Sequence, residues 1–141
     1  MKLIMSASRA TLGAVANHER TMELAARLAR GCYDFRVVLG VFEEDNQTVA
    51  TEVSFMVTHP VDLRLENAVD AIAATWAASL HEDYHQECIL AISDIGECYL
   101  FYPDNRTPEY IGVWTQVEQR PSGNATQVDG KWYTAIKGDA L

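Results

Sequence analysis

From Leu65 to Leu80 the residues Leu65, Val69, Ile72, Trp76 and Leu80 recur at helical spacing, the strongest periodic signal in the chain. One apolar stripe on an otherwise polar helix needs a surface to lie on. Runs of strand character on either side supply it. Lys2 to Ser8 is a short apolar run, and Asn17 to Arg30 puts Met22, Ala25, Leu28 and Ala29 on one helical face before Gly31, the expected helix stop. Arg36 to Phe42 is a continuous apolar strand. Asp45-Asn46-Gln47 turns the chain into Thr51 to Val57, where Val53, Phe55 and Val57 share a face, and His59-Pro60 ends that strand. Cys88 to Ser93 and Cys98 to Tyr102 read as strands joined by Asp94-Ile95-Gly96. The order is βαββαβ plus one strand, which predicts an α+β, ferredoxin-like sandwich with both helices on one sheet face. Ile111 to Glu118 and Lys131 to Ile136 form a C-terminal strand pair, with Asp129-Gly130 as a hairpin signal. One domain over 1–141 is expected, with its core in 1–103 and the strand pair and loops in 104–141.

Such a sandwich leaves its second sheet face open. With Val38, Gly40 and Phe42 on that face, the expectation is burial against other copies of the chain. A net charge of -9 with eleven Lys and Arg disfavours a nucleic-acid partner and favours a cationic ligand. Residues 1–5 are too short for a signal-peptide core, and no apolar run has the length of a membrane span, so a soluble, cytoplasmic protein is expected. Cys32, Cys88 and Cys98 are odd in number and lack a C-x-x-C pair, so buried, reduced thiols are expected.

His81-Glu82-Asp83-Tyr84-His85 satisfies H-E-x-x-H, the pattern that places two zinc-binding imidazoles one helical turn apart. It falls where the second helix ends, no downstream His supplies a third ligand, and polar residues at a solvated helix terminus explain it without metal. His18 and His59 stand alone, and the glycines form neither G-x-G-x-x-G nor a P-loop. The remaining candidate is Tyr33 together with Glu43-Glu44-Asp45 at the end of the Arg36 strand. A solvated strand end accounts for these acids too. Alternation, however, turns one of Glu43 and Glu44 toward the face expected to be buried, where a carboxylate needs a cationic partner that no neighbouring residue provides.

Spread along the chain, Ser6, Ala7, Arg9, Arg20, Met22, Gly31, Tyr33, Gly40, Glu44, Thr51, Glu52, Ala68, Gln86, Cys88, Leu90, Gly112, Val117, Gly130 and Trp132 fall in a collinear pattern. In that pattern the chain resembles the small bacteriophage enzymes that degrade S-adenosylmethionine, long called SAM hydrolases or SAMases and now regarded as SAM lyases. The resemblance implies a ferredoxin-like protomer in a PII-like homotrimer with substrate at the subunit interfaces. It further implies catalytic roles for Glu44 and Tyr33, no cofactor, no metal, and a cytoplasmic setting, the host's if the chain is phage-encoded. Glu44 would hold the substrate ammonium and Tyr33 would pack near the sulfonium. Ser6, Ala7 and Arg9 would receive the carboxylate or the adenosine. The implied reaction is attack of the substrate's own carboxylate on its γ-carbon, giving methylthioadenosine and homoserine lactone. Two alternatives stay open: a hydrolase giving homoserine, with Glu44 as base for water, and a PII-like trimer that binds an adenosine ligand without turnover.

Overall fold

The computed structural model of the chain describes residues 1–9, 11–43, 49–60, 66–104 and 106–138. The elements run β1 (Lys2–Met5), α1 (Ala14–Arg30), β2 (Asp34–Glu43), β3 (Val49–Thr58), α2 (Glu66–Tyr84), β4 (Ile89–Ile92), β5 (Glu97–Phe101), β6 (Glu109–Val117), β7 (Ala125–Val128) and β8 (Lys131–Ile136). The eight strands close into an antiparallel barrel in the order β1-β3-β2-β7-β8-β6-β5-β4, and β4 pairs back with β1. The ferredoxin-like sandwich is therefore corrected: no open sheet remains.

The cause lies in the C-terminal third, which holds more than a strand pair. β5 extends the sheet from β4, β6 and β8 continue it, and β7 completes it by pairing its free edge with β2, Leu39 to Gln127, Gly40 to Thr126 and Val41 to Ala125. Both edges are consumed, which removes the unpaired donors and acceptors an open sheet would expose. The face carrying Val38 and Gly40 becomes the barrel interior, with Val38 only 3% exposed. The open-face argument for association falls with it, and the PII-like trimer then rests on the resemblance alone.

Strands β1 and β4 read as short apolar runs because their side chains are covered both inside the barrel and against the helices. Leu3, Met5, Phe55, Val57, Ile89, Ala91 and Phe101 point outward into a core shared with Leu24 and Leu28 of α1 and Ala73, Trp76, Ala77, Leu80 and Tyr84 of α2. Inside the barrel Val38, Met56 and Val128 pack with Ile4, Trp114 and Tyr133. Arg27 ties the helices together: its guanidinium lies 5.1 Å over the Trp76 ring and 2.9 Å from the Asp83 carboxylate.

Helix α1 stops before Gly31 as expected, but the left-handed residue is Cys32, at φ 57°. Gly31 is required for a different reason: a Cβ there would stand 2.6 Å from the Tyr33 ring. Cys32 is exposed and Cys88 half-buried, so of the three thiols expected to be buried only Cys98 is. Among the described residues no helix is long and apolar enough to cross a membrane.

Candidate active site

The site is assembled at one mouth of the barrel. In β3, Val53, Phe55 and Val57 alternate with Glu52, Ser54 and Met56, and the second set turns toward the barrel interior, where Ser54 and Met56 are buried. Glu52 pairs across the ladder with Gly40, so no side chain opposes it on β2. Ser6, just past β1, donates its hydroxyl to the Val53 carbonyl at 3.2 Å and accepts the Ser8 amide at 3.0 Å. Turned instead toward Glu52, the same hydroxyl proton would stabilise its carboxylate. Burial pushes the Glu52 carboxyl above the ordinary carboxylate range, and the Ser6 hydrogen bond only partly counters this.

The loop after β1 is held from both sides. Asn17 of α1 grips Arg9 reciprocally, accepting its amide and donating to its carbonyl, both at 2.9 Å. Arg20 donates to the Ala7 carbonyl at 2.7 Å and, with its other arm, to the Tyr84 carbonyl at the end of α2. Gln86 donates to the Ser8 carbonyl at 2.8 Å. These bonds fix two walls, the 6–9 loop and the 85–88 segment, around a groove of about 670 Å³ lined by Ser8, Arg9, His18, Thr21, Glu52 and Gln86 among others. A second cavity of about 500 Å³ fills the barrel mouth behind it and shares Glu52, Gln86 and Cys88 with the groove. Burial and the neighbouring carboxylates of Glu87, Glu109 and Glu52 raise the Cys88 thiol, so it is not a thiolate nucleophile.

Of the residues singled out in the sequence, Ser6 and Arg9 line this site and Ala7 is fully buried beneath it. Tyr33 lies elsewhere: it precedes β2 and packs against Trp76, with ring centroids 5.4 Å apart, and against His59. At about 3.3 Å per strand residue, it stands on the order of 20 Å from Gly40 at the mouth. Glu44 lies outside the described residues. His81 faces the Gln86 carbonyl at 3.1 Å through Nδ1, while His85 sits past the end of α2 and lines the groove. Among the described residues no group of three His, Cys, Asp or Glu is placed to hold a metal ion.

Sequence reasoning passed over Glu52, Asn17, Arg20 and Gln86 as site residues. Glu52 did carry a signal, since the alternation that puts Val53, Phe55 and Val57 on one face puts a glutamate on the other.

A mouth combining one half-buried carboxylate, a hydroxyl and a guanidinium suits a small ligand with both cationic and anionic groups. Residues 3–136 match the model of the S-adenosylmethionine lyase family, and the chain belongs to that family. It is an enzyme with S-adenosylmethionine lyase activity, acting on S-adenosylmethionine as a small-molecule substrate. No curated protein matches the chain.

Proposed function

We propose that the enzyme cleaves S-adenosylmethionine by intramolecular displacement, with Glu52 holding the substrate ammonium and Arg9 orienting its carboxylate. The observation that carries this is the Glu52 carboxylate at the junction of groove and barrel, the groove presenting Arg9 beside it. In the step, a carboxylate oxygen forms a bond to the γ-carbon as the carbon–sulfur bond breaks. The bonding pair leaves on sulfur, the sulfonium becomes the neutral thioether of methylthioadenosine, and homoserine lactone is the other product. No proton is transferred and no external nucleophile enters, so the protein has to fold the methionine chain and keep water away. Opposite charges vanish in this reaction, and a site drier than water favours that. The chain's charge of -9 draws in a substrate whose net charge is positive.

The resemblance implies an active site with Glu44 and Tyr33, for which the sequence reading expects Glu44 as the anchor and Tyr33 near the sulfonium. Those assignments are tested by replacing each singly. The reaction course is tested by turnover in water labelled with heavy oxygen. Displacement by the substrate's own carboxylate yields unlabelled lactone, and any homoserine formed later by its opening carries label in the carboxyl group. Label in the side-chain hydroxyl of directly formed homoserine would instead establish a hydrolase.

A further inference from the structure

Displacement by the substrate's own carboxylate uses only one half of the substrate. Ammonium, carboxylate, γ-carbon and sulfonium all belong to the methionine part, and the lactone ring closes without touching the remaining group on sulfur. The groove matches that half, since its lining holds the Arg9 guanidinium and the Glu52 carboxylate together with the hydroxyls of Ser8 and Thr21. The bonds that hold its walls are made within the protein. Asn17 grips both backbone groups of Arg9, while Thr21 donates to the Asn17 carbonyl at 2.7 Å and lies 3.4 Å from the Ser8 hydroxyl. On the other wall the His85 and Gln86 amides close the end of α2 on the His81 and Leu80 carbonyls, and the Gln86 side chain reaches the Ser8 carbonyl at 2.8 Å. A site held in this way is preorganised. Where remote parts of a substrate must assemble the site, a truncated substrate loses kcat; where the site is already assembled, the loss falls mainly on KM. About 670 Å³ is room enough for an amino acid alone.

We infer that the enzyme also cleaves dialkylsulfonium amino acids that carry no nucleoside, of which S-methylmethionine is the simplest. This rests on the proposed reading of displacement by the substrate's own carboxylate, with Arg9 and Glu52 as its two anchors. In the step, a carboxylate oxygen of S-methylmethionine bonds to the γ-carbon as the carbon–sulfur bond breaks. The bonding pair leaves on sulfur as dimethyl sulfide, homoserine lactone keeps the ammonium, and no proton moves. S-methylmethionine also has the net positive charge that a chain of charge -9 attracts.

Headspace gas chromatography of dimethyl sulfide over S-methylmethionine, with enzyme and with buffer alone, tests this. Release above background is expected, with kcat within about tenfold of that for S-adenosylmethionine and KM raised about a hundredfold or more by loss of the nucleoside contacts. S-adenosylmethionine should suppress the release with a Ki near its own KM, and Arg9→Gln should lower kcat/KM for both substrates by the same factor. Dimethyl(aminopropyl)sulfonium, which keeps ammonium and sulfonium but has no carboxylate, should release nothing. No release from S-methylmethionine, release that S-adenosylmethionine does not suppress, a loss confined to one substrate in Arg9→Gln, or release from the carboxylate-free sulfonium would each overturn the inference. If Arg9→Gln does not fold, the competition experiment and the carboxylate-free compound decide. An enzyme that forms unlabelled lactone from S-adenosylmethionine in heavy-oxygen water, yet no dimethyl sulfide from S-methylmethionine, loses this inference alone. Label in the side-chain hydroxyl of homoserine formed directly from S-adenosylmethionine overturns the displacement reading itself.

Discussion

Burial in the barrel mouth raises the Glu52 carboxyl above its ordinary value of 4.5, so ionising it costs the folded state. The sign follows from proton counting. Between 4.5 and the raised folded value, the folded chain holds a proton that the unfolded chain has released, so stability falls as pH rises through that window. Above it the penalty is full. Glu52→Gln should therefore melt higher than wild type at neutral pH, and the gain should shrink below pH 4.5. Thermal melts of both proteins across pH check this, and a lower melting temperature for the variant at neutral pH would contradict it. In the proposed role, Glu52 would be a functional group that costs its own fold stability, a common trade at active sites. This residue was half legible in the sequence. Strand alternation sorts Glu52 from Val53, but only closure of the barrel shows that its side is an interior.

Most elements were legible because their signals are local. The stripe ending in Ile72, Trp76 and Leu80 gives α2, and Asp129-Gly130, both with positive φ, turns β7 into β8, while the turn expected at Asp45-Asn46-Gln47 lies outside the described residues. Strand β7 was not legible, since Ala-Thr-Gln-Val is four residues long with no clear alternation. The bonds that shape the groove were also hidden, because they join elements far apart in sequence. Arg20 reaches Ala7 and Tyr84 with one side chain, and its guanidinium lies 5.3 Å over the Tyr84 ring. A lysine keeps the charge but not the fork. Arg20→Lys is expected to lower kcat/KM about tenfold, in line with the ~1–3 kcal/mol of a buried acceptor left unpaired. The circular dichroism spectrum should stay that of the wild type, because Arg20 shapes the groove wall rather than the barrel. A changed spectrum alongside the kinetic loss would mean general loosening instead.

At the scale of the molecule, sequence reasoning failed over how the sheet ends. Local patterns identified the elements other than β7 in the right order, but the pairing of β7 with β2 links Gly40 to Thr126, a contact that no local signal encodes. That closure shapes the proposed site as well as the fold. It turns an apolar sheet face from an expected contact surface into a lined cavity, and it sets Glu52 at the cavity's entrance beside the groove. The account therefore turns on one carboxylate, and turnover of S-adenosylmethionine by Glu52→Gln, measured beside Glu44→Gln with folding verified, tests it most directly. Loss of an ionic anchor worth about 3 kcal/mol predicts a fall in kcat/KM of about a hundredfold for Glu52→Gln with the barrel intact. Near wild-type turnover in that variant, with activity lost in Glu44→Gln instead, would contradict the placement of the site.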